Sequence, residues 1–179
     1  MHRLFLDDSE YQSFARRLAW SPDGTFLLTP GSWYQDLQNL NSSPSLQYTV
    51  YGFLKTQIKK PAFMLPGIKN HATCIRFCPY LFKLKNSDQG ILNLPYRILF
   101  AVGTIDHLLI YSTESTMPVA IVKNIHLDSI NDIAWMGDSL IIVASSDGFC
   151  SFIQLQRDLV GERLEFDSPL MPEKLKEFY

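Results

Sequence analysis

The stretch from Asn124 to Leu155, N-I-H-L-D-S-I-N-D-I-A-W-M-G-D-S-L-I-I-V-A-S-S-D-G-F-C-S-F-I-Q-L, reads as three short strands joined by two tight turns. Ile130, Ile133 and Trp135 form a first apolar run, Met136-Gly137-Asp138-Ser139 a turn, and Leu140 to Ala144 a second, wholly apolar strand. Ser145-Ser146-Asp147-Gly148 turns the chain again, and Phe149, Phe152 and Ile153 belong to a third strand. Asp and Gly carry both turns, because Gly tolerates φ > 0 and Asp hydrogen-bonds its own backbone; Asp147 and Gly148 are therefore structural turn residues. A lone three-stranded meander cannot bury both of its faces, so this unit calls for neighbours of the same kind.

Two such neighbours precede it. The first opens with Arg16-Arg17-Leu18-Ala19-Trp20, turns at Ser21-Pro22-Asp23-Gly24, and resumes as a strand from Thr25 to Thr29, with Asp23 and Gly24 as its turn residues. A polar stretch from Gly31 to Gln47 reads as a long exposed loop, after which Tyr48–Leu54 and Pro61–Leu65 are strands, the latter ending at Pro66-Gly67. The second opens at Ala72 to Phe77, reaches a proline turn at Cys78-Pro79, and carries an insertion from Lys83 to Pro95. Strands then run over 96–102, 107–111 and 119–122. The aromatic residues closing the first strand of each unit are Trp20, Phe77 and Trp135, spaced by 57 (77 − 20) and 58 (135 − 77) residues. Equal spacing marks a repeat.

Set without the two long loops, the first two units approach the roughly 40 to 45 residues of a WD repeat. Short strands in sets, with an Asp-containing turn before the third strand, predict an all-β chain of the WD40 β-propeller kind. The W-D dipeptide itself is missing: Ile110-Tyr111 and Phe152-Ile153 stand in its place. The expected division is the end of a preceding blade over 1–14, a blade over 15–66, a second over 67–123, a last and incomplete one over 124–156, and a C-terminal tail over 157–179 with a short helix after Pro172. Because closed propellers carry about four to eight blades, about three imply part of a larger ring, with an apolar blade edge left open.

Composition narrows the function classes. Of 179 residues, 46% are hydrophobic, enough for a core; the formal charge of −2 and pI of about 6.1 argue against holding nucleic acid by bulk positive charge. Three scattered cysteines form no disulfide framework and suit a reducing compartment. No apolar run long enough for a membrane span, leader or lipidation signal is apparent, so the expectation is a soluble intracellular protein without a membrane partner.

Several residue groups invite sharper readings. His71, Cys74 and Cys78 make H-x2-C-x3-C, yet zinc needs about four ligands and no fourth is spaced nearby, so no metal is assigned and both cysteines read as core, as does Cys150. His126, Asp128 and Ser129 supply the residue types of a hydrolytic triad without a nucleophile elbow. His126 and Asp128 read better as an inter-blade pair bracing adjacent strands. No phosphate or dinucleotide fingerprint occurs, and neither catalysis nor a cofactor is expected. Candidate partner-binding residues are acidic Asp7 and Asp8, suited to a basic segment such as a histone tail, basic Arg16 and Arg17, and Trp33 and Tyr34 in the long loop. Arg16-Arg17 with Lys55, Lys59, Lys60 and Lys69 supply the residue types of a basic face for DNA, but the four lysines read better as a solvated rim, and no sequence-specific DNA binding is expected.

F-A-R-R-L-A-W-S-P-D-G-T-F-L-L-T-P at 14–30, K-K-P-A-F-M-L-P at 59–66, R-F-C-P-Y-L-F-K-L at 76–84 and L-P-Y-R-I-L-F-A-V at 94–102 together resemble the WD-repeat middle (B-type) subunits of chromatin assembly factor 1, a histone chaperone complex. N-I-H, D-I-A-W and S-S-D-G-F-C-S-F within 124–152, followed by D-L-V-G-E-R-L at 158–164, extend the likeness over nearly the whole chain. The related regulator HIRA shares the layout, while L-P-Y-R and C-P-Y-L-F favour the assembly-factor subunit. The resemblance implies a seven-bladed propeller, of which this chain supplies about three blades, working as a non-enzymatic scaffold in replication-coupled nucleosome assembly in the nucleus. Its implied partners are the other chromatin assembly factor 1 subunits, core histones and the anti-silencing-function chaperone, although that chaperone's usual binding motif is not found among these residues.

Overall fold

A computed structural model describes residues 16–35, 46–85 and 90–176, and these fold into three antiparallel meanders stacked face to face. The first sheet orders its strands β1 (Ala19–Trp20), β2 (Phe26–Gln35), β3 (Leu46–Leu54) and β4 (Phe63–Ile68), with a short 3-10 turn, Lys55–Gln57, between the last two. The second runs β5 (Ala72–Phe82), β6 (Arg97–Thr104), β7 (His107–Ser112) and β8 (Ala120–Lys123). The third has β9 (Ile130–Met136), β10 (Leu140–Ser145) and β11 (Cys150–Gln154), three strands as the sequence predicts. Two single-turn helices follow, α1 (Arg157–Val160) and α2 (Glu173–Lys176), the second directly after Pro172. Asp7, Asp8 and the blade end expected over 1–14 lie outside the described residues.

Trp20, Phe77 and Trp135 sit on β1, β5 and β9, the first strand of each sheet, so the repeat is real. These strands gather on one side of the stack. Arg17 and Cys74 form a parallel bridge in which the Arg17 amide donates to the Thr73 carbonyl at 2.9 Å and the Ile75 amide donates to the Arg17 carbonyl at 3.0 Å. The Thr73 hydroxyl in turn donates to the Ile130 carbonyl at the start of β9.

Two apolar layers glue the sheets. Phe26, Leu28, Val50 and Leu65 of the first sheet meet Ile75, Ile98, Phe100 and Val102 of the second. An aromatic ladder crosses this layer: Phe26 meets Phe77 edge-on at 5.4 Å, Phe77 meets Phe100 at 5.4 Å, and Phe100 stacks on Tyr111 at 5.4 Å. Each such pair contributes about 0.5–1.5 kcal/mol beyond its buried area. Leu99, Ala101, Leu108 and Ile110, on the opposite face of the second sheet, pack on Ile130, Ile133, Ile141 and Val143 of the third. Gly103 makes the close approach possible, since a Cβ there would stand 2.7 Å from Cys74 Sγ and 2.8 Å from Ile130 Cγ2.

The sequence reading is corrected at its prolines. A strand expected to end at Thr29, one expected to end at Pro66-Gly67 and a turn expected at Cys78-Pro79 each continue instead: β2, β4 and β5 run through Pro30-Gly31, Pro66-Gly67 and Cys78-Pro79. In every case the ladder slips: from Thr29↔Tyr51 to Ser32↔Thr49, from Val50↔Leu65 to Tyr48↔Ile68, and from Phe77↔Phe100 to Leu81↔Ile98. A bulge leaves residues outside the ladder, which is where a strand tolerates the missing N–H of proline. Trp33 and Tyr34 consequently lie within β2, paired opposite Tyr48 and Gln47, and not in a loop. Cys150 is exposed on β11 and is not a core residue, whereas Cys74 and Cys78 are buried.

The segment after Leu155, predicted as a tail, is part of the packed body. The Lys83 amide donates to the Glu162 carbonyl at 2.9 Å and the Leu164 amide to the Leu81 carbonyl at 2.8 Å, which puts Leu164 in the core. Arg97, only 1% exposed, explains why. Its guanidinium donates to the carbonyls of Val160 and, at 3.4 Å, Leu159, lies 3.6 Å from the Glu114 carboxylate and stacks 5.5 Å from the Phe82 ring centroid. A buried cation needs such partners, and the chain supplies them by folding back.

Candidate interaction site

Propellers present function on loops held by a rigid frame, so the corners that fix those loops come first. Two corners are built alike. In the third sheet, His126 Nδ1 lies 3.0 Å from Asp147 Oδ2, and the same carboxylate accepts from the Leu127 amide at 2.9 Å and, through Oδ1, from the Phe149 amide at 3.0 Å. In the second, Asp106 accepts from Asn70 Nδ2 at 2.8 Å and from the Thr104 hydroxyl at 3.0 Å, and lies 2.6 Å from His107 Nδ1. Each aspartate thus ties the turn after a sheet's second strand to the segment entering its first. Gly148, at φ +88°, and Gly24, at φ +68°, hold left-handed positions that a side chain would strain.

These corners correct one pairing. His126 is bound to Asp147 and not to Asp128, whose carboxylate accepts from the Ser129 amide at 2.6 Å while its carbonyl accepts from Ser145 Oγ at 3.0 Å. Burial by itself would raise the Asp147 carboxyl, but the Leu127 and Phe149 amides, His126 and Ser145 outweigh it and hold the pKa at about 2. Asp106 is lowered in the same way, with Asn70, His107 and Thr104 overcoming its burial. The sequence places Asp106 in a turn but does not single it out as a corner residue. The signal was there in Thr104-x-Asp106, which has the spacing of Ser145-x-Asp147, each following a strand of apolar residues.

Asp23 is buried, and its carboxylate accepts from Ser21 Oγ at 2.5 Å and from Thr25 Oγ1 at 2.9 Å, both local, and from Tyr96 Oη at 2.8 Å across the sheet boundary. Burial, then the bond and charge of Asp23, push the Tyr96 phenol up. Nothing in the sequence near Asp23 marks Tyr96, which lies 73 positions away.

On the side where the first strands gather, charge links all three sheets. Arg76 pairs with Asp132 at 2.9 Å, Arg17 Nε donates to the Asn131 carbonyl at 3.1 Å and lies 3.8 Å from Asp132, and the Trp135 indole donates to the Arg76 carbonyl at 3.1 Å. Arg17 is thereby a tie between sheets, while Arg16 is exposed beside His71. Burial and the Arg16 charge both lower the His71 pKa. The Tyr34 hydroxyl donates to Gln47 Oε1 at 2.7 Å, and Trp33 is half-buried. Burial raises the Cys74 thiol to about 11 and Cys78 to about 12, which keeps both protonated and unreactive at neutral pH.

Among the described residues, none packs over the outer face of the third sheet. Ala134, Ile142 and Phe152 stand directly opposite one another on β9, β10 and β11, flanked by Met136 with Leu140 and by Ala144 with Cys150. Phe152 is 69% and Met136 63% exposed.

Three like meanders stacked through their faces, with first strands gathered on one side and aspartate-pinned corners, define a protein of the β-propeller class. The chain belongs to the CAF1B/HIR1 beta-propeller family, whose domain model matches residues 1–160. It is 36% identical over 171 residues to the B-type subunit of chromatin assembly factor 1 of Gallus gallus, covering 89% of this chain and 29% of that protein. It is 39% identical over 160 residues to the chromatin assembly factor 1 subunit FAS2 homolog of Oryza sativa subsp. japonica, covering 88% and 30%. Protein HIRA of Homo sapiens is 30% identical over 152 residues, covering 83% and 14%. The chain thus spans about three tenths of the length of the assembly-factor relatives it matches.

Proposed function

We propose that the chain forms part of a non-enzymatic scaffold subunit of a nuclear histone chaperone complex, acting in replication-coupled nucleosome assembly by docking the other chromatin assembly factor 1 subunits and, with them, core histones. The observation that carries this reading is the identity to proteins named as chromatin assembly factor 1 subunits over nearly the whole chain, which exceeds the identity to HIRA. The fold suits the role. Its polar side chains are spent on pinning corners, and its buried thiols are held protonated, so what it offers a partner is rigid, exposed surface. The open face of the third sheet is the place for further blades to stack in a longer protein.

Affinity capture of the tagged protein from cell extract tests the reading. Recovery of the large chromatin assembly factor 1 subunit together with core histones is the expected result. Recovery of replication-independent deposition partners alone overturns it in favour of a HIRA-type regulator. Alanine at His107 and His126 leaves any background hydrolysis unchanged; loss of a measurable hydrolytic activity in those variants would make the protein an enzyme instead.

A further inference from the structure

The charges of this chain are segregated in a way its net value of −2 conceals: between Asp36 and Asp88 the sequence holds no Asp or Glu, and its formally charged residues there are all Lys or Arg. The connection from β3 to β4 lies within that interval. From Lys55 to Lys60 every residue is exposed, Ile58 to 53%, and Lys55, Lys59 and Lys60 have no ion-pair partner among the described residues. The loop is nonetheless firmly placed, since the Lys55 amide donates to the Thr25 carbonyl at 2.9 Å and the Ala62 amide to the Gly52 carbonyl at 2.8 Å.

Four carboxylates at the same end of the stack are engaged elsewhere. Asp23 is buried under Ser21, Thr25 and Tyr96, Glu114 lies beside Arg97, Glu162 pairs with Lys83 at 2.8 Å, and Asp138 lies 3.9 Å from Arg163. From this arrangement we infer that the Lys55–Lys60 loop is a contact for the phosphate backbone of duplex DNA, independent of base sequence and additional to the subunit-docking role proposed above.

The chemistry favours phosphate over an acidic protein segment. Recognition of carboxylates draws on the planar fork of arginine and on a pocket for the carbon chain behind them, and this loop has neither. Lysine is a flexible point charge, and a polyphosphate demands charge at approximate spacing more than fixed geometry; Thr56 and Gln57 add neutral donors between the lysines. Each phosphate neutralised on duplex DNA contributes about 0.9 to the slope of log affinity against log salt, so three lysines contribute about 2.7.

The test is binding of the protein to a labelled, mixed-sequence DNA duplex by fluorescence anisotropy between about 50 and 200 mM salt. Across that range the three contacts account for a fall in affinity of about 40-fold. The variant K55Q/K59Q/K60Q is expected to lose that component, with an unchanged unfolding midpoint because the loop is exposed. The control K69Q/K123Q removes charge from the opposite end of the stack, where both residues border one small cavity, and is expected to keep the wild-type slope. An equal loss of slope per charge in both variants overturns the inference, because net charge alone would then explain binding. So does absence of DNA binding by the wild type, or binding to polyglutamate in place of DNA, which would make the loop a protein contact.

Discussion

The second and third sheets are the same meander in two settings. Every residue of β6 is buried, and β7 is buried from Leu108 onward, because the second sheet has a neighbour on each face. From Leu140 to Ala144 buried and half-buried positions alternate, and in β11 exposed and half-buried ones, because among the described residues the third sheet is covered on one face only. Leu140–Ala144 and Ile98–Val102 are equally apolar as sequence. Burial is therefore assigned by position in the stack, and hydrophobicity is its precondition.

Substitution can break this comparison at its centre. Phe100→Ala removes a ring that is 1% exposed, stacked on Tyr111 and in tilted contact with Phe77, and is expected to cost about 3–5 kcal/mol in denaturant unfolding. If it costs no more than a surface change, the aromatic ladder is not what joins the first two sheets. Gly103→Ala places a methyl group against Cys74 and Ile130, where the second sheet meets the third, and should cost about 1–3 kcal/mol.

The corners sharpen the comparison by pH. The folded Asp147 pKa of about 2 lies below the value of about 3.9 for an unfolded aspartate, so its ionised form stabilises the fold above about pH 4 and that contribution disappears as pH falls through 2. Asp147→Asn should therefore lower the thermal midpoint at pH 6, and the gap from wild type should close toward pH 2. A gap constant with pH would show that the carboxylate charge is not what holds His126 and the two amides. Asp106→Asn should follow the same direction in the second sheet, since its pKa is also lowered.

The smallest effect on stability belongs to the open face. Phe152→Ser, at a residue 69% exposed, should shift unfolding by no more than about 0.5 kcal/mol while reducing self-association measured by light scattering. Unchanged association would mean that the apolar stripe through Ala134, Ile142 and Phe152 is not the adhesive surface.

Much of this was legible in the chain itself. Equal spacing of Trp20, Phe77 and Trp135 gave the repeat, and Asp-Gly at 23–24 and 147–148 gave two turns, because turn chemistry and strand alternation act over a few residues. The prolines misled for a related reason. Proline forbids one ladder bond, and whether that ends a strand or makes a bulge depends on a partner strand that local sequence does not contain.

What the sequence by itself determined is the set of strands and the family to which they belong, since both reside in short-range pattern. What only the tertiary structure decided is the partnership of groups far apart in the chain: Tyr96 with Asp23, Asp147 rather than Asp128 with His126, and Arg97 with the carbonyls of residues 159 and 160. Each arises because a buried polar group takes its hydrogen-bond partner from whatever the packing brings within about 3 Å, and packing is a property of the stack as a whole.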